Sequence, residues 1–453
     1  MPRHRASHVL RAQKRFSETL SPGKLDSLAR SVGFVQRQRL ITASGVFWAL
    51  VVTVGAHATQ YISDVLRCLN DREGWSVRYK PFWNRLAKAA FARFMKAIFG
   101  LLCREMVTRV LQKELKGEAA FFSDILIDDG SSFAVADGLH RVFPGRFRKS
   151  KPAAVELHAH MSVVSDQVLS VVLAADKEAE RQYLPSAESL PARSLSLRDR
   201  GYIDLPYFDA LENRNAYLIC RARTDINPTV EELLGVPPRI ARRWCGKRLA
   251  EVPKSLLRPG VEATVVWQRP HGRLQRLRLV IRYTPPKRPT KRARVKQRRR
   301  AQKNAWLLLL TNLPARFSAD TVARLYRLRW QVELTFKEWK SYANLHALQS
   351  QHPAIVEGFI WASLCAAFLK RALAHSAQLI HRVPVSTRIA AQAGPQVLPK
   401  LADWVQGRAP ADAFLTVLRF LAENALRTHP ERERRQPRRL LGLTLRGEVR
   451  AKD

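Results

Sequence analysis

Acid is scarce in this chain. Its 453 residues carry 78 Lys and Arg against 38 Asp and Glu, a formal net charge of +40. Such an excess repels itself unless a polyanion neutralises it, so nucleic acid is the expected partner and an anionic membrane surface the weaker one. Cysteine is scarce too: Cys68, Cys103, Cys220, Cys245 and Cys365 lie far apart, with no Cys-x-x-Cys pair and no His-rich tract. That spacing argues against a disulfide framework or a zinc finger and suits reduced thiols in a cytosolic-type compartment. Long apolar runs are missing. "GVFWALVVTVGA", Gly45 to Ala56, falls well short of the roughly 20 residues that span a bilayer and reads as a buried helix. The basic N-terminal "MPRHRASHVLRAQKRF" has no apolar stretch behind it, so no secretory signal is expected. No internal repeat is evident.

An apolar content of 46% is that of a globular protein, and this length predicts about two to four domains. From about Leu25 to Lys116 apolar residues recur at helical spacing, which makes residues 1–116 a helical N-terminal region and a candidate for DNA binding, with no nameable recognition helix. Strand-like runs follow in "DILIDDGSSFAVAD", "AVELHAHMSVVS", "QVLSVVLAAD", "LSLRDRGY" and "AYLICRAR", with "LPYFDALENR" as a crossover helix between the last two. Neighbouring strands followed by strands alternating with helices predict a mixed α/β sheet over 117–223. Residues 224–303 depart from that alternation, with β-like pieces such as "LQRLRLVIRY", and end in Lys287 to Lys303, which holds ten Lys or Arg and no acid. Such a run is a loop awaiting a phosphate backbone. The sheet resumes with "WLLLLTN" in 304–375, and amphipathic helices fill a C-terminal region, 376–453, suited to dimerisation or DNA contacts.

"YRLRWQVELTFKEWK", Tyr326 to Lys340, reads as one helix with Ser318 as a good N-cap upstream. At about 100° per residue, Tyr326, Arg329, Glu333 and Lys340 fall within an arc of about 60°. Leu325, Val332, Phe336 and Trp339 form the adjacent stripe that should face the core. Glu338 lies about 140° from Glu333, so the two cannot serve one site. An Arg329–Glu333 surface ion pair is the plainer reading of the helix taken alone, worth a few tenths of a kcal/mol.

Two upstream segments change that balance. Apolar strands run into Asp128-Asp129-Gly130 and into Asp199-Arg200-Gly201, each with a Gly expected to let the backbone turn. A buried carboxylate is costly unless it is paired or bound to metal. Two strand Asp and a helix Glu can together supply oxygen ligands for a pair of divalent cations, the arrangement that serves phosphodiester chemistry. Strand alternation does not choose between Asp128 and Asp129, because Ile125 to Ile127 are apolar on both faces.

The spacing Tyr-x2-Arg-x3-Glu-x6-Lys resembles the Tyr-Arg-Glu-Lys signature of the DDE transposases of the insertion-sequence-four family. "DDGSSFA" and "RDRGY" resemble that family's two Asp motifs in the same order, and "FPGRF" and "TNLP" are similar to segments around them. The resemblance implies an α/β fold with a ribonuclease H-like mixed sheet, interrupted by a β-rich insertion and flanked by helical N- and C-terminal regions. It implies Asp129, Asp199 and Glu333 as catalytic metal ligands, Asp129 being preferred because the family motif is Asp-Gly or Asp-Ser followed by Ser or Thr. Tyr326, Arg329 and Lys340 would contact DNA phosphates, and Trp306 would stack on a flipped base. Two Mg²⁺ ions, replaceable by Mn²⁺, would serve a cut-and-paste reaction in which a freed 3′-hydroxyl forms a hairpin before the ends join target DNA. The implied partners are terminal inverted repeats, target DNA and a second copy of the chain, with no membrane; the implied place is the bacterial cytoplasm, on the nucleoid when bound to DNA. A nuclease of the same fold that cuts without joining, and a non-catalytic nucleic-acid-binding protein, are the alternatives.

Overall fold

The computed structural model describes residues 2–37, 40–56, 61–114, 116–147, 149–258, 260–268, 274–285, 305–342, 345, 350–427 and 437–445. The basic run Lys287 to Lys303 lies outside them.

Six helices open the chain: α1 (Pro2–Thr19), α2 (Pro22–Ser31), α3 (Ala43–Ala56), α4 (Ile62–Glu73), α5 (Tyr79–Leu86) and α6 (Ala89–Met106). Strands follow as β1 (Leu111–Lys113), β2 (Ile125–Ala134), β3 (Pro144–Phe147), β4 (Lys151–Ser162), β5 (Gln167–Ala175) and β6 (Leu195–Arg198). Next come α7 (Leu205–Asn213), β7 (Tyr217–Arg221), β8 (Thr229–Leu234), α8 (Pro238–Trp244), α9 (Lys254–Leu257), β9 (Val261–Gln268), β10 (Leu274–Tyr283) and β11 (Trp306–Thr311). The remainder is helical except at its end: α10 (Ala319–Tyr326), α11 (Trp330–Tyr342), α12 (Pro353–His381), α13 (Thr387–Gln392), α14 (Gly394–Val405), α15 (Ala413–Asn424), α16 (Pro437–Leu440) and β12 (Leu443–Leu445).

The expected mixed sheet is present. Among the described residues it has ten strands in the order β3-β4-β2-β6-β7-β11-β10-β9-β8, with β5 also on β4. β2 and β4 run antiparallel, whereas β2, β6 and β7 are mutually parallel. The crossover helix expected at "LPYFDALENR" is α7, which carries the chain from β6 to β7; Asp204 caps it by accepting from the Tyr207 N–H. Within 224–303, the described strands β8, β9 and β10 continue the same sheet through β11. The "TNLP" segment helps to lock this junction: the Thr311 hydroxyl donates to the Leu218 carbonyl at 2.6 Å, and the Asn312 side chain bonds both Leu218 N and Ala216 O.

Each sheet face is covered by its own core. Leu126, Phe208, Leu218, Leu279 and Leu310 belong to the core under α7. Ile127, Leu197, Ile219, Leu309 and the helices α10 to α15 share the other with the N-terminal helices. α3 is apolar all round and buried, as expected for "GVFWALVVTVGA". It and α6 pack against α12, so helices from both ends of the chain close around one central helix. α12 is long and apolar enough to cross a membrane, yet 78% of its apolar window is buried inside the fold. The five cysteines are free thiols.

Candidate active site

The stretch Tyr326 to Lys340 is not the single helix expected. Ser318 caps α10 as anticipated, its hydroxyl accepting from the Thr321 N–H at 3.2 Å. A 3-10 turn, Arg327–Arg329, then separates α10 from α11. Tighter winding through that turn re-aims Arg329 relative to a continuous wheel. The core stripe is as expected: Leu325, Val332, Phe336 and Trp339 are all buried. Glu338 points away from Glu333 and pairs with the buried Arg371 at 2.6 Å. Lys370, also buried, donates to the Tyr342 carbonyl at the end of α11 at 2.8 Å. These two contacts anchor the back of α11 to α12 and so fix the direction in which Glu333 projects.

Asp128 and Asp129 lie in mid-strand, because β2 runs on to Ala134. Gly130 therefore does not turn the chain, and neither it nor Gly201 has a positive φ. Each glycine makes room for a carboxylate. A Cβ on Gly130 would stand 2.7 Å from Glu156 Oε1, and one on Gly201 would stand 2.0 Å from Glu180 Oε2. These two glutamates were not singled out from the sequence; the only signal for them was the glycine following each Asp motif.

Register brings the two Asp motifs together. Asp128 pairs with Arg198 across the parallel β2–β6 ladder, and Arg198 with Cys220 across β6–β7. One step further along each strand stand Asp129, Asp199 and Arg221. Because side chains alternate between faces, Asp129 follows Ile127 onto the α11 side and Asp128 follows Leu126 onto the α7 side. On its side Asp128 is paired with Arg198 at 2.9 Å and His160 at 2.7 Å. Burial opposes its charge, but Arg198 and His160 outweigh burial and hold its pKa at about 2.

Asp129 meets Arg329, whose Nη1 donates to Oδ2 at 2.6 Å while Nη2 donates to Glu333 Oε1 at 2.5 Å. The Tyr326 hydroxyl donates to Asp199 Oδ1 at 3.4 Å. Lys340 lies in the last turn of α11, two turns beyond Glu333, its Nζ donating to the Ser132 carbonyl of β2 at 2.9 Å. Arg329 and Tyr326 thus link Glu333, Asp129 and Asp199, while Lys340 reaches Ser132, three residues further along β2. Trp306 is not among them. It packs against Tyr283, with ring centroids 4.7 Å apart, and lines a separate cavity of about 690 Å³ on the α7 side of the sheet.

The centre is electrostatically tense. Burial pushes the Asp129 carboxyl up to about 7; Arg329 opposes this, while Asp199 and Glu180 add to it. Burial likewise pushes Glu156 up to about 7, with Glu180 adding to it, although Arg146 of the "FPGRF" segment lies 3.3 Å away. Burial disfavours charge on Arg329 as well, but Asp129 first, then Tyr326, Asp199 and Glu333, hold its pKa above the ordinary value. Burial and the Asp199 charge raise Tyr326, which stays a neutral donor.

Asp129, Asp199 and Glu333 offer only carboxylate oxygens, the donor set of a hard divalent cation. Among the described residues no three acidic, His or Cys side chains are already gathered closely enough to hold an ion. The Arg329 guanidinium stands between Asp129 and Glu333 and supplies the positive charge there.

A family model described as "Transposase DDE domain" matches residues 120–369. The transposase for insertion sequence element IS231D of Bacillus thuringiensis subsp. finitimus is 25% identical over 378 residues, covering 77% of each chain. The putative transposase InsL for IS186A of Escherichia coli is 45% identical over 80 residues, 17% of this chain and 22% of that one. A solved piggyBac transposase synaptic complex with hairpin DNA aligns over 93% of this chain and 86% of that one, at 12% identity and a TM-score of 0.41. Because the family match takes in more than half of the 453 residues, including both Asp motifs and the Tyr-Arg-Glu-Lys segment, the chain belongs to the DDE transposases, enzymes that cut and join DNA in transposition.

Proposed function

We propose that Asp129, Asp199 and Glu333 are the catalytic carboxylates of this transposase, and that Tyr326, Arg329 and Lys340 seat the phosphates beside the cut. The single observation that carries the assignment is the convergence of the three carboxylates, from β2, the end of β6 and α11, on the Arg329 guanidinium and the Tyr326 hydroxyl. DDE chemistry depends on divalent metal. Asp129, Asp199 and Glu333 would hold it, as two Mg²⁺ ions replaceable by Mn²⁺, and the metal supplies activation of the attacking oxygen and charge neutralisation at the phosphorus.

The chain's own groups do the positioning. Arg329 can exchange its two carboxylates for two phosphate oxygens, because its planar fork suits either partner. Tyr326 offers a hydrogen bond without adding charge, and Lys340 adds a point charge at the far end of α11. Strand cleavage and strand transfer are both in-line phosphoryl transfers, so one set of carboxylates serves each step.

The order β5-β4-β2-β6-β7, antiparallel and then parallel, supports a ribonuclease H-like core. In this reading 224–303 is its β-rich insertion, ending in the basic segment Lys287 to Lys303. The cavity beside Trp306 supports a base-stacking role: it is large enough for a nucleobase, and Arg258 lies 5.5 Å over the adjoining Tyr283 ring. Processing two transposon ends and a target calls for a homodimer on terminal repeats, and the net charge of +40 suits a cytoplasmic protein that works on the nucleoid.

Glu333→Gln tests the assignment. The variant should bind terminal-repeat DNA as the parent does and lose metal-dependent cleavage; full cleavage by it would overturn the reading.

A further inference from the structure

We infer that the groove on the flank of α11 turned away from Asp129 seats the backbone of the target duplex during strand transfer, an inference that rests on the catalytic reading above. The groove has a volume of about 500 Å³ and runs between α11 and α13, with Lys337, Arg371, Arg388, Arg427 and Arg438 among its walls. Its acids are already spent. Asp166 and Glu338 are both paired with Arg371, at 2.7 and 2.6 Å. The second Glu338 oxygen accepts from the Thr387 hydroxyl at 2.8 Å, and the second Asp166 oxygen faces His375 at 3.2 Å.

At the rim, Lys337 and Arg388 are exposed and, among the described residues, pair with no carboxylate. Arg388 Nε donates to the Tyr342 hydroxyl at 3.3 Å, and Lys337 Nζ lies 5.3 Å over the Trp330 ring. Both partners are neutral, so the rim keeps its positive charge for an external anion.

Position selects which DNA. Lys337 follows Glu333 by four residues and stands about 40° around the helix from it, so the groove begins where the catalytic face ends. Of the other cations of α11 and the preceding turn, Arg329 and Lys340 reach back over β2. An in-line displacement needs the attacking and leaving oxygens on opposite sides of the phosphorus. If the cleaved end is held over β2, the duplex under attack leaves past the other flank of Glu333, along the rim of Lys337 and Arg388.

The test uses the full chain carrying Lys337→Glu and Arg388→Glu, with Lys337→Arg and Arg388→Lys as the conservative control. Terminal-repeat binding and end cleavage should stay within about twofold of the parent. Strand transfer of a pre-cleaved end into plasmid DNA should fall at least about tenfold, with the log–log salt slope of target binding shallower by about two. The conservative pair should restore transfer. Unchanged transfer would overturn the inference, and so would a matching loss of end binding, which would assign the groove to terminal DNA. Failure of the catalytic reading shows up separately, as metal-dependent cleavage that survives Glu333→Gln.

Discussion

Asp128 and Asp129 are chain neighbours with opposite settings. Asp128 lies on the α7 side of β2, buried to 4% exposure, its charge matched by Arg198 and His160. Asp129 lies on the α11 side, where burial raises its pKa to about 7 and its cationic partner is shared with Glu333. One carboxylate has its charge matched, and the other shares its cation with a second carboxylate. In the proposed assignment, the alternation of a strand divides stability and catalysis between two adjacent residues.

The division can be broken from either side. Asp129→Asn should abolish metal-dependent end cleavage, by roughly a thousandfold or more, while denaturant unfolding stays near the parent; loss of fold instead of activity would reverse the two roles. Asp128→Asn should do the opposite. It leaves Arg198, with 0% side-chain exposure, buried without its countercharge, and a half-broken buried pair costs about 3–5 kcal/mol, readable in urea melts.

Metal should separate the pair more finely. A divalent cation at about 100 times its Kd adds roughly 2.7 kcal/mol to the native state. The parent and the Asp128→Asn protein should each gain a few degrees in Tm with Mg²⁺ or Mn²⁺, and Asp129→Asn should not.

Acid gives the smallest effect. The pKa of Asp128 is held at about 2, below the roughly 3.9 of an unfolded Asp, so its contribution is present above about pH 4 and is lost as pH falls towards 2. The amount is on the order of 2 kcal/mol. Acid unfolding followed by circular dichroism should show a weaker pH dependence in that window for Asp128→Asn than for the parent.

Much of this site was legible in the residues. The apolar runs marked β2, β6, β7 and β11, the Ser318 cap marked the start of α10, and helical spacing separated Glu338 from Glu333 while setting the stripe of Val332, Phe336 and Trp339 against the core. These are local properties: residue types at fixed offsets report period and capping without reference to distant parts of the chain. The 3-10 turn at Arg327–Arg329 was not legible, because the apolar spacing on either side of it is that of one helix and no Gly or Pro marks the break. Nor was the purpose of Gly130 and Gly201. A glycine looks alike in sequence whether it turns a chain or makes room for Glu156 or Glu180.

The sequence by itself determined the types of the elements, the charge that calls for DNA, and a set of carboxylates and cations at spacings that resemble a transposase. It could not decide which of two adjacent aspartates belongs to that set, since both faces of β2 are buried and hydrophobic patterning marks burial without marking side. Tertiary structure separates the two, with α7 and Arg198 of β6 on the Asp128 side and α11 with Glu333 and the Arg329 guanidinium on the Asp129 side, which is what supports the proposal of Asp129. Charges separated by roughly 200 positions in the chain interact only once the sheet and helix are assembled, and that meeting makes Asp129 the partner of Glu333.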